Sequence, residues 1–285
     1  MKSFFSALTQ SRAGLFGFAL VVAFVLAALL APLFNLPSPT RSNILARMVE
    51  PTWTGPFSPG PHPLGTDELG RDILSRIIYG SRVTLLIACS AVLLGGVVGV
   101  LLGIVAGYYR GIVDRVLMRI VDIQLALPLM LLALLIVAAL GPSTRNLIIV
   151  LALTSWLRYA RIIRGQVLAL REREFILSAQ AIGAGTWRIM LRHLLPNVLT
   201  PALVVATLEL ARVIIMDAAL SFLGLGVQPP NPSWGRMLSD GRVYISTAWW
   251  IVTFPGIAIL LTVLSVNLLG DWLRDYFDPK LRVSR

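Results

Sequence analysis

Residues Val83–Tyr109 read VTLLIACSAVLLGGVVGVLLGIVAGYY, without one charged side chain. A helix needs about 20 predominantly apolar residues to cross the ~30 Å hydrocarbon core of a bilayer, so this stretch places the chain in a membrane. Working outward, three further charge-free runs start at Ala13, Gln124 and Thr247 and end before Arg41, Arg145 and Asp271. The hydrophobic fraction of the 285 residues is 56%, the charged fraction 14% and the mean hydropathy +0.80. A soluble domain carries about 25% charged residues, and this chain has too few to cover a water-facing surface.

The pattern predicts an all-α, polytopic membrane bundle of six transmembrane helices, at Ala13–Phe34, Val83–Tyr109, Val116–Leu140, Asn146–Ile163, Val198–Leu225 and Ala248–Leu269. The first run exceeds a signal peptide's apolar region, roughly 7–15 residues, and reads as an uncleaved anchor. The third contains Pro128, with Asp122 near its start. In the fourth, Arg158, Arg161 and Arg164 recur every third residue, which reads as snorkelling from one face to the headgroups. Between the first two spans, the Pro-rich segment Pro37–Pro63 cannot be regular helix. Thr66 then offers an N-cap with Asp67 and Glu68 in the first turn. Leu69, Ile73 and Ile77 form a stripe clear of Arg71 and Arg76, which predicts a short helix on the membrane interface. The chain thus divides into an anchor, loop and interfacial helix, 1–82, and a bundle, 83–285, containing a cytoplasmic loop at 165–194. Gly224–Gly235, with three prolines, is expected at the outer surface, with Trp234, Trp249 and Trp250 as interfacial anchors.

Net charge is +11, carried by 23 Arg and two Lys. In a membrane chain such an excess is topological, not a nucleic-acid footprint. With the N-terminus inside, sixteen basic residues fall on the cytoplasmic side and eight outside, so both termini are expected in the cytoplasm. Several chemistries are absent. Neither lysine follows a glycine, so there is no P-loop, and His62 and His193 cannot share a helix face as zincin ligands do. Asp122 and Asp217 belong to opposite ends of their spans, and Cys89 has no intrachain partner. No catalytic residue, metal site or bound cofactor is expected.

Two places remain for function. In the cytoplasmic loop, Phe175, Ile176, Ala179 and Ile182 form an apolar side broken by Gly183-Ala184-Gly185; Trp187, Met190, Leu191, Leu194 and Leu195 follow before Pro196. That face is expected either against the chain's own bundle and bilayer or in a groove of a cytosolic partner. In the fifth span, Glu209 and Arg212 are spaced to pair on one face, with Asp217 nearer the outer end. Ionisable groups inside a membrane face an aqueous path or a partner. All three are candidates for a translocation path, or Glu209 and Arg212 for a structural ion pair.

The stretch EFILSAQAIGAGTWRIMLRHLLPN, from Glu174, resembles the cytoplasmic-loop signature of bacterial ABC importer permeases. That signature runs Glu-Ala-Ala, three residues, Gly, nine residues, an aliphatic, one residue, Leu-Pro. Gly183, Ala179 and Leu195-Pro196 match, whereas Leu177, Ser178 and His193 stand at the Glu, first Ala and aliphatic positions. HPLGTDELGRDILSRIIYGSR (His62–Arg82) and SFLGLGVQPPNPSWGRMLSDGR (Ser221–Arg242) resemble signature segments of the dipeptide/oligopeptide permease group, in particular its C-type subunit. The resemblance implies a type I ABC importer permease in a bacterial inner membrane, forming half of a pathway for dipeptides or short oligopeptides. A nickel complex or glutathione as cargo is an alternative, as is an ion-driven secondary transporter. Implied partners are a homologous second permease, two cytosolic ABC ATPase subunits that carry the ATP and Mg, and an extracytoplasmic substrate-binding protein. Implied coupling residues are Glu174, Phe175, Ile176, Leu177, Ser178, Ala179, Ile182, Gly183, Leu195 and Pro196.

Overall fold

In the computed structural model, residues 4–52 and 62–277 are described. Lys2, Lys280, Arg282, Arg285 and the 53–61 part of the Pro-rich segment lie outside them. The described residues are helical apart from loops and one isolated bridge, Thr66 to Asp72. A short helix α1 (Phe4–Gln10) precedes α2 (Arg12–Leu30), whose last turn tightens through Ala31–Phe34. Then come α3 (Ile73–Tyr109), α4 (Gly111–Ala126), α5 (Leu129–Leu140), α6 (Thr144–Arg171) and α7 (Glu174–Ala181). The one-turn α8 (Thr186–Arg188) runs through a widened turn into α9 (Leu195–Phe222), and α10 (Trp234–Gly241) and α11 (Trp250–Phe277) complete the order. Side chains of the expected type cap the N-termini: Ser11, Asp72, Ser143 and Ser233 each accept a hydrogen bond from a backbone N–H three residues on.

The bundle is organised on α3 and α6. Gly95, Gly99, Gly103 and Gly107 recur every fourth residue, and each lies against α6. A Cβ at these positions would meet Ser155 and Ala152, Trp156 and Tyr159, Ala160 and Ile163, and Val167, respectively, all within 3 Å. Small residues at this spacing let two helix backbones approach closely, which drives packing where the solvent is itself apolar. The register rises in the same sense on both helices, so α3 and α6 run parallel, and the chain between them must return across the membrane. Among the described residues five helices are long and apolar enough to span alone; α4 and α5, bent by 90° about Leu127-Pro128, supply the sixth crossing together. Asp114 and Asp122 of α4 meet Arg164 and Arg161 of α6, both at 2.5 Å, and Gln124 donates to Leu153 O at 2.7 Å. α4 therefore runs antiparallel beside α6, and beyond the bend α5 also packs on α6, burying Ala133 and Val137 in one cluster with Leu147 and Val150.

This corrects two expectations. Val116–Leu140 is not one straight span, because proline at 128 removes a helical donor and blocks the turn before it. Arg161 and Arg164 do not reach out alone to headgroups; each is paired to an α4 carboxylate. Arg164→Asp, or Asp114→Arg, is expected to lower the unfolding free energy by about 2 kcal/mol, the usual worth of a charge-assisted hydrogen bond. The double swap should recover most of it in thermal unfolding of the detergent-solubilised protein, and no recovery would show the pair to be incidental.

A third correction concerns the outer end of α3. Leu69–Ile77 is not an interfacial helix: Asp72, not Thr66, caps α3, and Thr66 instead hydrogen-bonds Val49 N and Ala46 O. Arg71 and Arg76 are buried with Asp67. Asp67 accepts from the backbone of Leu69 and Arg71, from Arg71 Nε at 2.7 Å and from Arg76 Nη1. Glu68 and Asp240 complete the cluster, Asp240 lying 3.6 Å from Arg76 and 2.8 Å from Arg236. Burial and the neighbouring Asp67 carboxylate raise the Glu68 carboxyl above its ordinary range. The result is a closed polar knot between α3 and α10. Trp234 and Trp250 are buried too, donating to Ile77 O and Thr66 O, while Trp249 is exposed as expected. On the opposite flank Gly14 and Gly17 of α2 lie on Trp272 and Ser265 of α11.

Candidate functional site

The cytoplasmic segment is carried by the end of α6. Arg171 donates to Tyr108 O at 2.5 Å and lies over the Tyr108 ring, while Arg110 pairs with Glu172 at 2.6 Å. These contacts fix the last turn of α6 to the last turn of α3, so α7 leaves from a defined point. Within α7, Ile176 and Ala179 are buried against the bundle, whereas Glu174, Phe175, Leu177 and Ser178 are exposed. The expected single face of Phe175, Ile176, Ala179 and Ile182 is therefore split. Ile182 sits at the C-cap, past the last full turn, and is 85% exposed.

Gly183 closes α7. Its N–H bonds to Gln180 O, and the Ala184 N–H reaches back to Ala179 O, the paired bonds of a Schellman cap. The φ of +80° is one that L side chains rarely adopt, so glycine is required by backbone geometry and not by crowding. Beyond it Trp187 and Leu191 are exposed, and Met190 and Leu194 are buried. Leu195 and Pro196 open α9. The Leu195 N–H bonds five residues back to Met190 O, and this π-type turn carries the helix past Pro196, which has no N–H to offer. The segment 174–194 thus anchors one apolar set in the bundle and presents a second: Phe175, Leu177, Ile182, Trp187 and Leu191.

The intramembrane charges sit where α9 crosses α6. Glu209 is buried at the middle of α9. Arg212 Nε donates to Glu209 Oε2 at 3.2 Å and Arg212 Nη2 to Thr154 O at 3.2 Å. The pairing spaced in the sequence is present, but it has a third member from another helix: Arg158 Nε lies 3.3 Å from Glu209 Oε1. Arg158 is at the middle of α6, so it is no snorkelling residue either. Asp217 stands apart, about 12 Å further along α9 at 1.5 Å per residue, fully buried, with Ser221 Oγ at 3.4 Å from Oδ1. The structure brings Glu209 and Arg212 together and leaves Asp217 out. Among the described residues no group of His, Cys, Asp and Glu could hold a metal ion.

Up to six membrane crossings among the described residues, a capped loop helix hung between two spans and a charge cluster at mid-bundle make a polytopic membrane bundle. Residues 99–283 match the family described as binding-protein-dependent transport system inner membrane component. The chain is 43% identical over 282 residues to the di/tripeptide transport system permease protein DppC of Pseudomonas aeruginosa, covering 99% of this chain and 93% of that one. It is 44% identical over 282 residues to the dipeptide transport system permease protein DppC of Escherichia coli K12, covering 99% and 94%. With the DppC of Alkalihalophilus pseudofirmus the identity is 43% over 278 residues, covering 98% and 89%. The chain belongs to the binding-protein-dependent transport inner-membrane family, and within it to the dipeptide/oligopeptide ABC permeases. The resemblance read from the three signature stretches is borne out.

Proposed function

We propose that this chain forms half of the translocation pathway of an ATP-driven importer of dipeptides or short peptides. It pairs with a homologous second permease, is driven by two cytosolic ATPase subunits that bind ATP and Mg, and receives cargo from an extracytoplasmic binding protein. The observation that carries this reading is identity of 43–44% across almost the whole of both chains to permeases whose names specify dipeptide or di/tripeptide transport. The chain itself carries no catalytic group in this account. Its work is to convert a push from the ATPases into a rearrangement of the bundle, a bias on a two-state equilibrium.

With six crossings both termini lie on one side, and the basic-residue bias supports reading that side as the cytoplasm. Segment 174–194 then faces the ATPases with Phe175, Leu177, Ile182, Trp187 and Leu191, an amphipathic helix laid in a groove. Coupling falls to residues 174–179, Ile182 and Gly183, with Leu195 and Pro196 joining the segment to α9. Glu209 and Arg212 belong to the path at mid-membrane, with Asp217 nearer its outer end. The test is reconstitution in proteoliposomes with the second permease, the ATPases and the binding protein, followed by uptake of a radiolabelled dipeptide. ATP-dependent accumulation supports the proposal. Uptake of nickel or glutathione in place of peptide, or uptake driven by an ion gradient without the ATPases, overturns it.

Ile182→Asp and Trp187→Asp each place a carboxylate on the exposed face while leaving the buried Ile176 and Ala179 untouched. Each is expected to reduce co-purification of the ATPases at least tenfold, the loss of roughly 1.4 kcal/mol or more, with the permease still folded by its thermal transition. Undiminished co-purification would place the ATPase contact elsewhere.

A further inference from the structure

The cluster of Glu209, Arg158 and Arg212 holds one carboxylate and two guanidiniums. An arginine does not give up its proton in proteins, so the group carries an excess positive charge at the middle of two membrane-crossing helices. Neighbouring acids do not cancel it. Asp122 is taken by Arg161 and Asp114 by Arg164, while Asp217, five residues beyond Arg212 on α9, meets Ser221 and neither arginine. The two arginines are also unequally committed. Arg212 is largely buried and spends Nε on Glu209 and Nη2 on Thr154 O. Arg158 has a side chain 49% exposed, touches only Glu209 through Nε, and donates no hydrogen bond among the described residues. Its terminal fork is free. A free guanidinium facing lipid at that depth is costly, so it faces an aqueous path or a partner, and its planar fork fits a carboxylate with two parallel hydrogen bonds.

We propose that Arg158 is a carboxylate-binding residue of the translocation path and receives the C-terminal carboxylate of a passing peptide. This rests on the reading of the cargo as peptide. The excess positive charge favours that end of the peptide over its ammonium. Glu209 has a second role in this arrangement: as the resident carboxylate it competes for Arg158, so the incoming group displaces a weak contact and is displaced in turn. Arg212, behind Glu209 and tied to Thr154, keeps that carboxylate in place through the exchange. Such a station attracts cargo without trapping it.

The test uses the complete reconstituted transporter with its binding protein, comparing uptake of a dipeptide and of its C-terminal amide at equal binding-protein occupancy. The binding protein is the same throughout, so its own preference cancels between wild type and variants. Arg158→Gln is expected to lower turnover of the free acid roughly tenfold and of the amide by less than about twofold, the scale of one charge-assisted hydrogen bond. Arg158→Lys, which keeps the charge, should retain most of the acid-to-amide ratio. Equal losses for both substrates, or none, overturn the proposal. So does failure of the Arg158→Gln chain to co-purify with the second permease, because the missing counter-charge is then an acid of that chain. Wild-type transporter that moves neither dipeptide nor amide, while moving another solute, overturns the peptide reading itself.

Discussion

Asp67→Ala is expected to lower both the recovery of folded protein and its thermal midpoint sharply. One carboxylate, 1% exposed, accepts from two backbone N–H groups and two guanidiniums, and its removal leaves Arg71 and Arg76 buried with too few acids. Breaking a buried pair from one side costs about 3–5 kcal/mol, a large share of the 5–15 kcal/mol that holds a typical domain. Asp67→Asn keeps an acceptor of the same shape and should lose less. The measurement is yield and thermal midpoint of the detergent-purified chain. Midpoints for Asp67→Ala indistinguishable from wild type would mean that the knot is wetter and weaker than its geometry implies. At the same knot, Arg236→Ala removes a residue whose ion pair among the described residues is with Asp240 alone, and a much smaller loss is expected there.

Gly99→Val is expected to open the α3–α6 seam. A Cβ at this position would overlap Trp156 O and lie 2.5 Å from Tyr159 Cβ. The first of these is backbone, so no rotamer change relieves the clash. Overpacking a tight core typically costs 1–3 kcal/mol and occasionally more. About 3 kcal/mol is expected here, because the whole helix must shift against its neighbour. Gly165 is the control: it lies on α6 with nothing within 4 Å of an added Cβ, so Gly165→Ala should leave stability equal or raise it by up to about 1 kcal/mol through helix propensity. Thermal melts of the two variants side by side read both effects. Equal melts would show that the close approach at Gly99 is not what holds α3 to α6.

The spans were legible because a bilayer imposes length and apolarity on each segment separately. Even the bent third span was marked by Pro128. What joins the spans was less legible. The glycines of α3 at every fourth position were a readable signal for close packing, yet nothing in them names α6 as the partner or makes the two helices parallel. The same limit applied to charge. Glu209 and Arg212 could be paired from their spacing on one helix, but Arg158 lies 51 positions earlier, and only the packing of α9 on α6 brings it to Glu209. Arg161 and Arg164, read as reaching for headgroups, needed α4 beside them before Asp122 and Asp114 could be seen as partners. Periodicity placed Phe175 and Ile182 with Ile176, and the contacts of α7 separated them. Asp67, Arg71 and Arg76 looked like the polar side of a surface helix because pattern alone cannot distinguish water from buried counter-charges.

The parallel seam also has a mechanical meaning. Two helices that touch backbone to backbone at four successive levels cannot slide past one another in small steps, so α3 and α6 behave as a single strut. At 1.5 Å per residue, α3 is about 55 Å long. One end of the strut carries α7 through the Arg171–Tyr108 and Arg110–Glu172 contacts; the other is bolted to α10 through Arg76 and Asp240. If α7 is the coupling element proposed above, this strut is the continuous rigid path between it and α10. The elbow at Leu127-Pro128 and the crossing of α9 at Glu209 lie outside that glycine seam.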